Sequence, residues 1–361
     1  MSRNCSVIFA GGKTGGHLFP GVAVAEKIKR DYPNIQITFI GLKNGLESRI
    51  IPPKGWDVKF IPMETPRGKN ILGLIKFLLF SLPASLFFSI KYLLKIKPIL
   101  VIGLGGYPAF PVILAAKILI IKTVLFEQNV VMGLTNRVLS NIADKIFVSY
   151  PIENKNKKYI FTGNPTRDLQ VQDKNENNIV LGILGGSQGA SKINKLMINN
   201  LDKLEKFKDK ISVIHQTGKQ DYENVKKIYS DNEFPAKVID FIDDMGWFYS
   251  QVDLLISRAG ASTIAELVKY GKSAIFIPFP FAANNHQEKN ALYIEKNGGG
   301  FVFPERDLMP DKLFKQLEDL INNPDKIREM NSNIKKLQSK NATDAAVNNL
   351  KIYLEKVCLE R

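Results

Sequence analysis

Short apolar runs recur along the chain, each closed by glycine or polar residues and followed by a longer stretch of helical period. The first is SVIFA (6–10), then ITFIG (37–41), ILVIG (99–103) and TVLFEQN (123–129). The pattern restarts at NIVLGIL (178–184) and continues through SVIHQTG (212–218), VDLLISR (252–258) and SAIFIPF (273–279). Runs this short and continuously apolar predict strands buried on both faces of a parallel sheet. Helical stretches between them, the first from about Pro20 to Arg30, predict an α/β chain of two Rossmann-like, doubly wound domains. A length of 361 residues suits about two cores. The expected division is 1–164, 165–340 and a last helical segment, 341–361, that packs back toward the first domain. The polar stretch IENKNKK (152–158) is the boundary candidate. A ligand is expected at the carboxyl ends of the strands, in a deep cleft between the domains.

Residues 71–97, ILGLIKFLLFSLPASLFFSIKYLLKIK, break the pattern. The uninterrupted apolar piece, Phe77 to Ile90, contains Pro83 and is shorter than the roughly 20 residues that span a bilayer. Flanking lysines suit an element lying in a headgroup region; an apolar helix pair covering the first sheet is the competing reading.

Charge sharpens this picture. Residues 1–164 carry 22 Lys and Arg against 8 Asp and Glu, whereas residues 165–361 carry 28 against 27. Nearly all of the net +15 therefore belongs to the first half, which predicts an acidic partner there: nucleic acid, an anionic membrane or a phosphorylated substrate. Nucleic-acid binding predicts basic residues interleaved with aromatics along a groove, and here the excess surrounds an apolar segment. Cys5 and Cys358 form no disulfide framework, and MSRNCSVIFAGG has no secretory pattern, so a cytosolic location is expected.

The stretch AGGKTGGH (10–17) contains Gly-Lys-Thr, but a nucleotide-binding P-loop would need glycine where Val7 stands. The dinucleotide fingerprint is half met, with Ala10 in place of its first glycine. What remains is strand, glycine loop and helix start, a geometry in which backbone N–H groups approach an anion. GLGGYPAFP (103–111) and GGSQGA (185–190) repeat it, which points to several phosphates. His17, one of three histidines, closes the first loop and is the candidate general base.

GGKTGGHLFP, GLKNGLESRIIP (41–52), GLGGYPAFP, EQNVVMGLTNR (127–137), TGNPTR (162–167), GGSQGA, ISRAGASTIAEL (256–267) and IPFPFAANNHQEKNA (277–291) together resemble the MurG family. Its members are bacterial glycosyltransferases of GT-B fold that add N-acetylglucosamine to the undecaprenyl-pyrophosphoryl-MurNAc-pentapeptide precursor of peptidoglycan. The resemblance implies inverting transfer from UDP-GlcNAc. It implies donor contacts from Thr14, Gly15, Gly16, Asn129, Arg167, Ser187, Gln188, Gln287, the backbone of Ile242, and Ala261, Ser262, Thr263, Ile264 and Ala265 at a helix start. Glu266 would hold the ribose hydroxyls. Gly12, Thr14, Gly105, Gly106 and Tyr107 would cradle the acceptor pyrophosphate, with His17 as base; Glu127 or water are alternative bases. The chain lacks Asp-x-Asp, so no obligatory metal or other cofactor is expected. Lys13 and Phe126 depart from the family pattern.

The lipid acceptor also gives the basic half a partner. The resemblance implies a peripheral enzyme on the cytoplasmic face of the bacterial inner membrane, docking through Lys76, Phe77, Leu78, Phe80, Phe87, Phe88, Lys91 and Lys95, binding no nucleic acid, and working beside other cell-wall proteins. Another membrane-lipid GT-B transferase and a non-catalytic UDP-sugar binder are the alternatives.

Overall fold

The computed structural model describes residues 5–12, 14–64, 70–153, 156–174, 178–186, 189–338 and 341–358. The chain forms two compact units, Met1–Arg167 with Ser339–Arg361, and Asp168–Gln338. In the first, strands β1 (Ser6–Ala10), β2 (Gln36–Gly41), β3 (Asp57–Phe60), β4 (Leu100–Gly103), β5 (Lys122–Glu127), β6 (Lys145–Val148) and β7 (Tyr159–Phe161) make one sheet. Its order is β3-β2-β1-β4-β5-β6-β7, with every pairing parallel. Val7 pairs with Ile37 on one side and Leu100 on the other, and all three are buried, which explains the continuously apolar runs.

The second unit repeats the design with β8 (Ile179–Leu184), β9 (Ile211–Gln216), β10 (Ala236–Ile239), β11 (Leu254–Ser257), β12 (Ser273–Phe276) and β13 (Gly300–Val302). The order β10-β9-β8-β11-β12-β13 is again wholly parallel. Strand order reverses between β1 and β4 and between β8 and β11, the switch points where such sheets bind ligands beyond their carboxyl ends. The glycine loops of the sequence leave β1, β4 and β8 at those places.

Two details differ from the sequence reading, and the expected packing of the last helix on the first unit is seen. The first helix runs Gly15–Asp31 and so starts five residues before Pro20; Thr14, extended at φ −115°, is its N-cap. Proline marks a helix start only where it falls in the first turn, and Pro20 sits beyond it. The boundary candidate 152–158 falls between β6 and its sheet neighbour β7, with residues 154 and 155 outside the described residues, and the division between units falls after Arg167. The last helix, Ala342–Cys358, buries Ala346, Val347, Leu350 and Leu354 in the core cluster that holds Val22 and Ile28 of the first helix.

His215 on β9 is fully buried, with Nε2 3.0 Å from Asn194 Oδ1 and Nδ1 3.2 Å from the Tyr229 hydroxyl. Burial pushes its pKa from 6.5 down to about 3, against a smaller opposing pull from Asp221. The unfolded chain therefore binds the extra proton, and stability present above pH 6.5 is lost as pH falls toward 3. At pH 5 the loss from this group is ~2 kcal/mol. Melting temperature should fall between pH 7 and pH 5, and more shallowly in His215→Gln; an equal slope in the variant would place the acid-sensitive group elsewhere.

Candidate active site

Gly11 follows β1 at φ +94°, and its N–H donates to Ile40 O. A Cβ there would lie 2.4 Å from Gly105 O, so the loops after β1 and β4 are in direct backbone contact. Gly12 is buried beneath Leu18, while Thr14 is exposed and Gly15 and Gly16 form the first turn of the helix. His17 is the third helical residue. Its ring lies against the second loop: a Cβ at Gly105 would sit 3.0 Å from Nδ1, and one at Gly106 3.7 Å from Cδ2. Arg167 stacks its guanidinium 5.0 Å from the ring centre of Phe19, two residues beyond His17. Thr14, Gly15, Gly16, His17, Gly105, Gly106 and Arg167 thus gather around one helix start, with Tyr107 half-buried at the end of the β4 loop.

Two residues of EQN take parts that the sequence did not assign. Glu127, 3% exposed, accepts from Asn129 N and Nδ2 at 3.0 and 3.2 Å through Oε1, and from Gly133 N and Asn136 Nδ2 at 3.0 and 2.9 Å through Oε2. Four donors occupy the carboxylate, which corrects its role as an alternative base: it ties down the loop after β5. Gln128, 1% exposed, points its side chain at His17.

In the second unit the helix Ala261–Tyr270 starts directly after β11 and Gly260, its extended N-cap. Ser262 and Thr263 are half-buried in its first turn. Ile264 does not belong with them: its N–H donates to Gly260 O and its side chain is core. Ala265 follows it on the helix, half-buried. Glu266 is 8% exposed and accepts from the Tyr249 hydroxyl at 2.9 Å, which orients the carboxylate. Tyr249 is itself stacked on Tyr270 at 5.5 Å. Ile242 buries its side chain, so only its backbone can meet a ligand. Gln287 Oε1 accepts from Phe279 N at 3.0 Å, which leaves its Nε2 end to donate to a ligand. Ser187 and Gln188, like Lys13, lie outside the described residues.

Residues 7–148 match the glycosyltransferase family 28 N-terminal domain and residues 180–348 its C-terminal domain. The chain is 43% identical over 337 residues to the UDP-N-acetylglucosamine--N-acetylmuramyl-(pentapeptide) pyrophosphoryl-undecaprenol N-acetylglucosamine transferase of Thermodesulfovibrio yellowstonii, covering 90% of this chain and 92% of that one. It is 37% identical to the transferase of the same name from Geotalea uraniireducens, over 98% and 100% of the two chains. The crystal structure of Acinetobacter baumannii MurG superposes with a TM-score of 0.80 at 28% identity, covering 96% and 99%. The chain belongs to the MurG family. The calicheamicin glycosyltransferase CalG4, at 15% identity and a TM-score of 0.71, shares the fold alone. The two parallel sheets are those of a two-domain GT-B glycosyltransferase.

One further element of this MurG-family chain is a continuous helix, Ile71–Ile96, whose 26 residues are long and apolar enough to cross a membrane. Pro83 has no N–H to offer the preceding turn, and that turn, Phe77–Ser81, widens to π geometry instead of ending the helix. The apolar run is therefore longer than the sequence suggested. Phe77, Ser85, Ser89 and Leu93 are buried and spaced in fours or eights, so they share the face that packs on the unit's core. This corrects Phe77 as an exposed patch residue, and Phe88 is half-buried against the same core. Leu78, Phe80 and Phe87 are 50%, 70% and 63% exposed, and Lys76, Lys91 and Lys95 are exposed beside them. The sequence reading missed the exposed apolar residues Ile118, Leu134 and Val138 on the two helical segments that follow in the same layer, and Ile120 just beyond the first of them. An apolar side chain just after a helix end, as at Ile120, was the available signal. A cavity of about 1070 Å³, lined by Leu42, Ile61, Met63, Phe77, Phe80 and Tyr107 and rimmed by the charged Lys43, Glu64 and Lys76, joins this helix to the β4 loop.

Glu127→Ala should strip four donors of their acceptor, at ~1–3 kcal/mol for each that stays buried and unpaired. Relaxation reduces the sum, and urea unfolding should show a loss of about 3 kcal/mol with a loosened 128–136 loop. Wild-type stability in the variant would show that the carboxylate does not hold the loop.

Proposed function

We propose that this protein transfers N-acetylglucosamine from UDP-GlcNAc to undecaprenyl-pyrophosphoryl-MurNAc-pentapeptide, inverting the anomeric centre in one displacement. The observation that carries the reading is the His17 imidazole against two glycine loops at a parallel-sheet switch point, in a chain 43% identical to a transferase so named. Nε2 of His17 takes the proton from an acceptor hydroxyl as its oxygen bonds to the anomeric carbon. The bond from that carbon to the β-phosphate oxygen breaks, and UDP leaves.

The start of the Ala261–Tyr270 helix sets its positive end toward the diphosphate and stabilises the charge of the leaving group, so no obligatory metal takes part. Glu266 accepts from the ribose hydroxyls in the orientation that Tyr249 imposes. The glycine loops around Thr14 and Gly105 hold the acceptor pyrophosphate, and the cavity beyond Tyr107 suits the first apolar units of its polyprenyl chain.

The acceptor's lipid requires a membrane surface. Because one face of the Ile71–Ile96 helix is packed on the first unit, only the opposite face, with Leu78, Phe80 and Phe87, meets lipid. Lysines beside that face attract anionic headgroups at ~1 kcal/mol each. The enzyme therefore lies on the cytoplasmic leaflet of the inner membrane without crossing it.

UDP release from UDP-GlcNAc should depend on a short-chain polyprenyl-pyrophosphoryl-MurNAc-pentapeptide, persist in EDTA, and fall by at least 100-fold in His17→Ala. Acceptor-dependent release that survives in His17→Ala would move the base elsewhere; no release with this acceptor would reject the substrate. Glu266→Gln should raise KM for UDP-GlcNAc about 10-fold or more, as expected for lost hydrogen bonds to a charged group worth ~1.5–3 kcal/mol. Charge reversal at Lys91, Lys95 and Lys97 together should weaken binding to anionic liposomes at least tenfold, and unchanged binding would remove this helix from the docking surface.

A further inference from the structure

Resting on His17 as the base, we infer that Gln128 is a positioning residue that fixes the His17 tautomer and so decides which ring nitrogen faces the substrate. The Gln128 carboxamide lies 1% exposed between two partners. On one side is Leu104 O, 2.9 Å from Gln128 Nε2. A carbonyl oxygen only accepts, so the NH₂ end must face it, and the amide cannot be turned without burying two acceptors against each other. Gln128 Oε1 is thereby directed to the other side, 2.9 Å from His17 Nδ1. An amide oxygen also only accepts, so Nδ1 must carry the hydrogen. In neutral imidazole the remaining nitrogen, Nε2, then holds the lone pair and serves as proton acceptor.

Two features lock this chain of donors. Gly105 backs the ring at φ +93°, where a Cβ would lie 3.0 Å from His17 Nδ1 and 3.1 Å from Cε1, so the absence of a side chain there is what lets the ring sit this close to Gln128. The preceding residue, Glu127, is clamped by four hydrogen bonds, which holds the backbone at the carboxyl end of β5 where Gln128 starts. The relay runs from a main-chain carbonyl at the end of β4 through a side chain at the end of β5 to a ring on the first helix. Orientation of the base is thus set by the sheet.

The chain has only three histidines, so ¹⁵N spectra of the imidazoles in the full-length protein can be assigned with His17→Ala, His215→Gln and His286→Ala variants. Substrate-free wild type at pH 8 should show His17 with its hydrogen on Nδ1. In Gln128→Met, of similar length but without an amide oxygen, the hydrogen should move mainly to Nε2. Its kcat should drop at least tenfold while KM for UDP-GlcNAc stays within twofold. Gln128→Glu, protonated on the oxygen that meets Leu104 O, keeps an acceptor facing Nδ1 and should retain the wild-type signature and more activity than the methionine variant. An Nε2–H signature in wild type overturns the inference even if Gln128→Met fails to fold. So does an unchanged signature in a folded Gln128→Met, or equal loss of kcat in both variants. The spectra need no turnover, so the tautomer is decided by them, whereas the base assignment itself is decided by the rate of His17→Ala.

Discussion

The contact between the loops after β1 and β4 admits no side chain on the Gly11 side, where a methyl group would come 2.4 Å from Gly105 O. Backbone touching backbone at a sheet switch point is what lets the first helix begin as close to β4 as it does. Leu104 then donates its N–H to Ala10 O at 2.8 Å, and its own carbonyl turns toward Gln128. The His17 ring rests on Gly105, so the candidate base and both glycine loops share one backbone seam. Catalytic precision on the order of a few tenths of an ångström calls for such support from regular structure.

Two buried carboxylates in the chain, Glu127 and Glu266, sit in different surroundings. Glu127 faces four donors, three from its own loop and one from Asn136 on the helix that follows, and is consumed by them. Glu266 accepts from the Tyr249 hydroxyl through Oε2, and it stands on the helix Ala261–Tyr270 that follows β11. Both would look alike as isolated acidic residues after or within an apolar element.

Much of the architecture could be read from sequence because strands buried on both faces must be apolar throughout, as Val7, Ile8 and Phe9 are. The glycine loops and His17 were legible for a local reason: they follow a strand directly. Gln128 was not, because its value depends on Leu104 and His17, which lie 24 and 111 residues away. Phe77 looked like Phe80, yet helical geometry turns one inward with Ser85 and Ser89 and the other outward. The early start of the first helix at Gly15 escaped because two glycines are poor helix formers and only the surrounding loops hold them there.

The last helix carries a consequence for how this chain is made. Leu350 and Leu354, both fully buried, complete a core cluster whose other members come mostly from the first 150 residues. While the ribosome is still translating the second unit, every strand of the first sheet has been made but this wall has not. Vectorial synthesis usually lets an amino-terminal domain finish first. Here the order is reversed: the second unit, continuous from Asp168 to Gln338, can close on the ribosome, and the first closes only after the terminal helix has emerged. Its apolar Ile71–Ile96 helix is therefore synthesised long before its own domain is complete, a window in which chaperones have a substrate to guard.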